Sequence, residues 1–226
     1  MKAMTDHDEI VFRPLFEPSL ASRYLGAETR EIKRWLQGYK RGSERKKGIV
    51  VRNTDDPSAV NFMEFVELLY IKALRGKGVS FDEIRRVYQL LAEEFGYHEY
   101  AFARQKTLYV FQKRVLVDFL DQKLEHSGQL AFSEVVHLLG DQIKFVNDLP
   151  REWWPLTQER TVVMTPGVCG SAPSCAESRV TTGALYDLYK AEGRRVEPVI
   201  RWFGVSEREL ADAIEFEESI RNRKAA

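Results

Sequence analysis

The sequence is poor in cysteine, in long apolar runs and in net charge. Cys169 and Cys175 are the two cysteines among 226 residues, too few for a disulfide framework and typical of a reducing compartment. No run approaches the ~18 consecutive apolar residues of a membrane-spanning helix, and the start MKAMTDHDEI lacks the basic-then-apolar order of a secretory signal. We therefore expect a cytoplasmic protein that does not enter a membrane.

Signatures of catalysis, cofactor binding and metal binding are missing as well. The sequence contains no Walker loop, no Gly-x-Ser-x-Gly and no dinucleotide fingerprint. Its four histidines show no metal-ligand spacing. These absences predict a protein that is not an enzyme and has no catalytic residue, cofactor or metal.

The spacing of apolar residues predicts a mainly α fold with short strands. With 44% hydrophobic and 30% charged residues the composition is ordinary for a globular protein. Clusters of β-branched and apolar residues predict strands at residues 49–52, 108–111 and 162–164, and a helix is expected at 115–124. Further helices are expected at residues 19–25, 29–39, 61–74 and 81–95.

A local pattern built on glycine occurs three times, at Gly26, Gly78 and Gly204. The copies at Gly26 and Gly204 are 178 residues apart. An apolar residue precedes Gly26 and Gly204. In all three copies the glycine suits a left-handed turn, and a polar residue two positions later suits a helix N-cap. Ser80 and Ser206 are each followed three residues later by Glu, as in a capping box. A single copy would indicate a plain helical corner, whereas three copies favour helix-turn-helix motifs.

The predicted helices and strand of the N-terminal region follow one another in a recognisable order. PSLASRYLGAETREIKRWLQGY, a short strand and FMEFVELLYIKALRGKGVSFDEIRRVYQLL follow one another, and residues 68–85 read Leu-x-x-Ile-x-x-Leu-Arg-x-x-Gly-x-Ser-x-x-x-Ile-Arg. This order resembles the winged-helix DNA-binding domain of MerR-type regulators over residues 17–95. The resemblance implies a winged helix-turn-helix domain in residues 1–98. The long dimerising helix that usually follows in that family is not visible in its expected place.

A second pattern lies in residues 160–218, where a strand, a loop with glycine and proline, a second strand and a helix-turn-helix follow one another. The matching positions are Val162, Pro166, Gly170, Pro173, Arg179, Val180, Thr182, Leu185, Gly193, Val199, Phe203, Gly204, Val205, Ser206 and Ala213. This pattern resembles a small prokaryotic family, commonly VapB-like antitoxins of PIN-type ribonuclease toxins, although Ser171 and Glu177 stand where that family usually has glycine. It implies an antitoxin-type helix-turn-helix domain in residues 156–226, with a linking or dimerisation segment in residues 99–155.

The net charge of zero conceals a basic segment and an acidic one. Residues 28–47 hold eight basic and three acidic side chains, a net charge of +5. Lys and Arg neutralise DNA phosphates, so this segment predicts DNA binding, with a solvated charged face as the alternative. Ile32, Trp35 and Leu36 should face inward on the second helix. The residues expected to contact DNA are Arg30, Lys33, Arg34, Gln37, Lys40, Arg41, Arg45, Lys46 and Lys47.

Residues 205–218 hold one basic and six acidic side chains, a net charge of −5. Phosphates would repel this helix, so it predicts contact with a protein, and a solvated face is again the alternative. The residues expected to bind the partner are Glu207, Glu209, Asp212 and Glu215.

Two hypotheses of function follow. The first is a homodimeric antitoxin of a type II toxin-antitoxin pair, which neutralises a PIN-type ribonuclease and binds operator DNA to repress its own transcription. The second is a free-standing MerR-like transcriptional regulator whose later modules sense a ligand or dimerise.

Overall fold

The chain is mainly helical with short strands, as the sequence predicts. A computed structural model describes residues 9–41, 43–52, 56, 58–96, 98–105, 108–111, 114–117, 136–139, 141–157 and 160–222. Its α-helices in these ranges are α1 (Pro18–Leu25), α2 (Thr29–Gln37), α3 (Phe62–Gly76), α4 (Phe81–Phe95), α5 (Thr182–Ala191), α6 (Val196–Phe203) and α7 (Glu207–Asn222). None of the described helices is long and apolar enough to cross a membrane.

The strands are short and pair antiparallel in small sheets. They are β1 (Pro14–Phe16), β2 (Tyr39–Arg41), β3 (Glu44–Lys46), β4 (Val60–Asn61), β5 (Leu108–Phe111), β6 (Arg114–Val117), β7 (Val136–Leu138), β8 (Ile143–Val146), β9 (Leu149–Trp153), β10 (Val162–Val163) and β11 (Ser174–Cys175). Strands β6, β5 and β7 form one three-stranded sheet in that order. The remaining pairs are β1 with β4, β2 with β3, β8 with β9 and β10 with β11.

Two predicted strands are confirmed and two predictions of local structure are wrong. Strands β5 and β10 lie where the sequence placed them, and Met164 continues β10 by an isolated bridge to Trp153. The helix expected at 115–124 is wrong at its start, because residues 115–117 belong to β6 and pair with β5. The rest of that expected helix lies outside the described residues.

The strand expected at residues 49–52 is also wrong. Ile49 and Val50 are buried, and the N–H of each donates to the carbonyl oxygen of Trp35, at 2.7 and 3.1 Å. Their β-branched side chains therefore fill the core without joining a sheet. The hairpin lies earlier, where β2 and β3 pair in register from Tyr39 opposite Lys46. A two-residue Gly-Ser connection was the signal for it.

The three glycine turns have the predicted backbone conformation. The φ angles of Gly26, Gly78 and Gly204 are 60°, 78° and 65°, in the region that residues with a Cβ resist. Gly26 and Gly204 end α1 and α6. Gly78 lies in the turn between α3 and α4, so each of the three glycines separates two successive helices.

Contacts divide the chain into two compact units. The terminal unit comprises the described parts of residues 1–29, 58–62 and 141–226, and the central unit those of residues 30–57 and 63–140. The sequence led us to expect three consecutive domains with boundaries near residues 98 and 155. The observed units instead join the two ends of the chain, so α1 and most of α2 belong to different units.

In the terminal unit a buried cluster holds α5, α6, α7 and β11 together. Its members are Cys175, Leu185, Val199, Val205, Leu210 and Ala213. A row of aromatic rings, Phe16, Tyr24, Trp153 and Phe216, connects the N-terminal residues to α7, with successive centroids 6.0, 6.4 and 6.1 Å apart. This packing explains why residues before 29 belong with the C-terminal helices.

In the central unit the core forms around α3, whose residues 63–71 are all buried. Phe102 packs edge-on against Tyr88 of α4, with ring centroids 5.3 Å apart. Trp35 of α2 lies 6.4 Å from the ring of Phe81 at the start of α4. The inward face of α2 is thereby fixed, which determines the face it shows to solvent.

Candidate nucleic-acid interface and acidic helix

Helix α2 has one apolar and one basic face, as predicted. Ile32, Trp35 and Leu36 are at most 5% exposed. The opposite face is solvent-exposed and carries Arg30, Lys33, Arg34 and Gln37. Because a helix repeats about every 3.6 residues, three buried side chains at this spacing turn the other four outward together.

The hairpin that follows α2 extends the basic surface. Lys40 and Lys47 are exposed and Lys46 is half-buried. The side chains of Arg41 and Arg45 lie outside the described part of the chain. The guanidinium of Arg34 lies over the ring of Tyr39, 4.5 Å from its centroid, and this cation–π contact connects the end of α2 to β2.

Sequence reasoning missed Arg85, which supports this surface from α4. Its guanidinium donates a hydrogen bond to the carbonyl oxygen of Lys47, at 3.2 Å. A half-buried arginine that binds a main-chain oxygen positions the chain just after the hairpin. The signal was present in the Ile-Arg pair at 84–85, which the family pattern includes, but nothing in the sequence showed which carbonyl it would reach.

The acidic residues of α7 are distributed differently from the prediction. Glu209 is 3% exposed and completes the predicted capping box with Ser206: its N–H donates to Ser206 Oγ at 3.2 Å, and the Ser206 N–H donates to Glu209 Oε2 at 2.9 Å. The Ser178 N–H donates to its other oxygen at 2.9 Å. Burial would raise the pKa of Glu209, but these hydrogen bonds outweigh it and lower the pKa.

Asp212 is equally buried, at 3% exposed, and holds the segment before β10. Its Oδ1 accepts from Arg160 Nε at 2.8 Å, and its Oδ2 accepts from the Thr161 N–H and hydroxyl, each at 2.9 Å. Burial would raise the pKa of Asp212, but the Arg160 and Thr161 hydrogen bonds outweigh it and lower the pKa. The carboxylate therefore stays charged inside the unit.

Glu217 is the third buried carboxylate of α7, 3% exposed. Its Oε1 accepts from the Thr182 hydroxyl at 2.7 Å, and its Oε2 accepts from Arg221 at 2.9 Å and from Arg23 at 3.1 Å. Arg23 belongs to α1, so this ion pair joins the two ends of the chain within the terminal unit.

The prediction that four carboxylates of α7 face a partner is wrong for two of them. Glu209 and Asp212 are buried and bonded within the unit, so they offer no surface to another molecule. Glu207 and Glu215 are exposed, although Glu215 also accepts from Arg160, at 2.6 Å. Counting charges along the chain overstated the acidity of this surface, because a buried carboxylate contributes little to it.

Comparison with known proteins finds a solved structure of similar fold and low sequence identity. No protein-family model matches the chain, and no curated protein matches it either. Among solved structures, the crystal structure of Rv2018 from Mycobacterium tuberculosis is similar, with a TM-score of 0.61 and 19% sequence identity. The similarity covers 89% of this chain and 98% of that one. At this identity the likeness concerns the fold alone.

Proposed function

We propose that the protein is the antitoxin of a type II toxin-antitoxin pair and that it binds operator DNA through α2 and the β2–β3 hairpin. The observation that carries the DNA-binding part is the exposed basic face of α2, held outward by three buried apolar residues on its other side. A rigid helix with a basic face can enter the major groove, where Arg and Gln reach base edges.

The position of each basic residue on α2 or the hairpin decides which part of the DNA it is assigned to contact. Arg30, Lys33, Arg34 and Gln37 lie on one helix face and are assigned to the groove. Arg34 also stacks on Tyr39, so its guanidinium is partly oriented before DNA arrives. The lysines of the hairpin and of the residue after it are assigned to backbone phosphates, which position a protein without reading sequence. Arg41 and Arg45 keep the same assignment from their positions in the sequence.

The toxin-binding part of the proposal depends on the sequence pattern of residues 160–218. Glu207 and Glu215 are the exposed members of the predicted set, and they are assigned to contact with a PIN-type ribonuclease. A nuclease needs a cationic surface for RNA, and exposed carboxylates complement such a surface.

The DNA-binding part is tested by a gel-shift titration on the DNA upstream of the gene at several salt concentrations. Alanine at Arg30, Lys33 and Arg34 together should weaken binding and reduce the preference for the operator over unrelated DNA, because these residues are assigned to the groove. Alanine at Lys40 and Lys47, which are assigned to phosphates, should reduce the slope of log K against log salt by ~0.9 for each lost contact. The matched control is alanine at Arg179, Lys190 and Arg194, which are exposed residues of the terminal unit and carry the same charge. Equal losses in the two triple variants would exclude α2 as the DNA site.

The order of α1, α2, hairpin, α3 and α4 favours a second candidate, a free-standing MerR-like regulator. The two candidates differ in what the neighbouring reading frame encodes. If it encodes a PIN-type ribonuclease, co-expression should relieve the growth arrest that the ribonuclease causes, and Glu207→Lys together with Glu215→Lys should reduce the relief. If co-expression gives no relief, the antitoxin part of the proposal fails and the regulator remains.

A further inference from the structure

Trp202 is the most exposed large apolar side chain in the described part of the protein. It is 79% exposed, whereas Trp35 and Trp153 are at most 5% exposed. An isolated exposed apolar residue is common on protein surfaces and carries no inference alone. The inference depends on the side chains that lie beside Trp202 on α6.

Helix α6 has a clear inner and outer face. The outer face carries Glu197, Pro198, Arg201 and Trp202, at positions i, i+1, i+4 and i+5, of which Pro198 is half-buried and the others are exposed. The inner face packs into the core of the terminal unit through Val196, Val199, Ile200 and Phe203. The outer side chains are therefore held in fixed positions by the packing behind them.

The two charges on this face have no partner within the described residues. Glu197 and Arg201 are one turn apart, close enough to pair along the helix, yet neither forms an ion pair with the other or with any described residue. Arg195, at the N-terminal end of the helix, is by contrast paired with Glu192 at 2.9 Å. The outer face thus presents one negative charge, one positive charge and one indole, all available to another molecule.

We propose that this face of α6 binds the same face of a second copy of the chain, with the two helices antiparallel about a two-fold axis. In a two-fold interface, residue i of one copy contacts residue j of the other and the reverse contact follows by symmetry. With the axis passing midway between Val199 and Ile200, Arg201 comes within one residue's rise, ~1.5 Å along the helix, of the level of Glu197 of the second copy, and Trp202 comes equally close to the level of Pro198. Both contacts occur twice, and each one is favourable: an ion pair, and a flat indole against a proline ring.

The charges exclude the other simple arrangement. Two α6 helices packed in parallel would place Glu197 against Glu197 and Arg201 against Arg201 of the second copy, with like charges together. The antiparallel pairing alone makes the sequence of this face complementary to itself. It does not depend on the proposed function, since it needs neither DNA nor a toxin, although a dimer suits a DNA-binding protein that reads two half-sites.

The size of the face sets the expected affinity. Two indoles bury at most ~500 Å² on complete burial, well below the ~1,200–2,000 Å² of a stable interface. The contact should therefore give a concentration-dependent dimer with a dissociation constant of roughly micromolar order. Such an equilibrium is visible by sedimentation velocity.

The experiment is sedimentation velocity on the full chain, from about 1 to about 200 μM, the range that brackets micromolar affinity. The wild type should shift from monomer to dimer, and Trp202→Ala should weaken dimerisation at least ~10-fold. Val146→Ala is the matched control, an apolar residue 43% exposed on β8, and should dimerise like the wild type. Both side chains are exposed, so circular dichroism should show unchanged folding.

A charge swap tests the antiparallel pairing itself. Glu197→Arg and Arg201→Glu should each weaken the dimer, because each places like charges opposite one another, and the double variant should restore it. A wild type that stays monomeric at about 200 μM, a dimer insensitive to Trp202→Ala, or a double variant no better than either single one would each overturn the proposal.

Discussion

Two buried carboxylates, Asp212 of the terminal unit and Glu67 of the central unit, differ in their hydrogen-bond donors and in the direction of their pKa shifts. Asp212 on α7 has four described hydrogen bonds from Arg160 and Thr161, and its pKa is lowered. Glu67 on α3 is 0% exposed, and its Oε1 accepts a hydrogen bond from the Ala103 N–H at 2.7 Å. Its Oε2 has no hydrogen-bond partner in the described part of the chain. Burial raises the pKa of Glu67 to about 8.

The difference shows that the protonation state of a buried carboxyl group depends on the number and charge of its hydrogen-bond donors, and that burial alone does not decide it. Removing a carboxylate from water opposes its charged form in both units. In the terminal unit, cationic and N–H donors replace the lost water, so Asp212 remains charged and connects separate segments. For Glu67, backbone N–H donors do not outweigh burial, so Glu67 is protonated at neutral pH and acts as a neutral core residue.

The largest expected effect concerns the pH dependence of the central unit. Because the pKa of Glu67 is about 8 when folded against 4.5 as its reference value, the folded state holds a proton that the unfolded state loses. Its contribution to stability is complete below pH 4.5 and is lost as pH rises towards 8, by roughly 4 to 5 kcal/mol. Glu67→Gln, which stays neutral, should remove this decline in urea unfolding followed by circular dichroism from pH 4.5 to pH 9.

The control for this prediction is Glu93→Gln, an exposed residue on α4. It should leave the pH profile of the wild type unchanged. Parallel profiles for Glu67→Gln and the wild type would show that Glu67 ionises normally in the folded protein, and the contrast between Glu67 and Asp212 would then disappear.

The next effect concerns the charged carboxylate of the terminal unit. Asp212→Asn keeps the shape but removes the charge that Arg160 and Thr161 bind, and we expect a loss of about 2 to 3 kcal/mol of unfolding free energy at pH 7. Arg160 is one-third exposed, so water can partly replace its partner and limits the cost. Urea unfolding measures the difference.

Glu215→Gln is the matched variant, because Glu215 binds the same Arg160 but its side chain is 56% exposed. Its loss should stay below about 0.5 kcal/mol, as for other exposed ion pairs. Equal costs for the two variants would mean that burial of Asp212 adds nothing, contrary to the proposed distinction.

The sequence predicted local features correctly where they depend on residues a few positions apart in the chain. The two faces of α2, the three glycine turns and the Ser206 box need no distant contact, and all are confirmed. The burial of Asp212 depends on Arg160, 52 positions away, and that of Glu217 depends on Arg23, 194 positions away. No local pattern contains such contacts, so the sequence pattern predicts surface positions for acidic residues that lie in the core.

The hairpin and the units were missed for related reasons. Strands β2 and β3 consist mainly of charged residues, and the signal that favours them is the two-residue Gly-Ser connection between them. Strand propensity, which favours β-branched residues, pointed to residues 49–52 instead. The terminal unit joins both chain ends, whereas composition and spacing vary only along the chain.

The smallest expected effect compares the same helix cap in the two units. The hydroxyl of Ser80 accepts from the Glu83 N–H at 3.1 Å, and the hydroxyl of Ser206 both accepts from the Glu209 N–H and donates to Glu209 Oε2 at 3.0 Å. Ser80→Ala should cost about 0.5 to 1 kcal/mol and Ser206→Ala about 1.5 kcal/mol in urea unfolding at pH 7.

The two caps should also differ in their pH dependence. The pKa of Glu209 is lowered in the folded state, so the stabilisation that its carboxylate provides is present when the pH is above the reference pKa of glutamate and is lost as the pH falls. Acidification should therefore reduce the cost of Ser206→Ala towards that of a simple cap, because a protonated Glu209 no longer holds the hydroxyl by its charge. A cost that is constant from pH 7 to pH 3, or one that matches Ser80→Ala throughout, would show that the carboxylate adds nothing to the cap of α7.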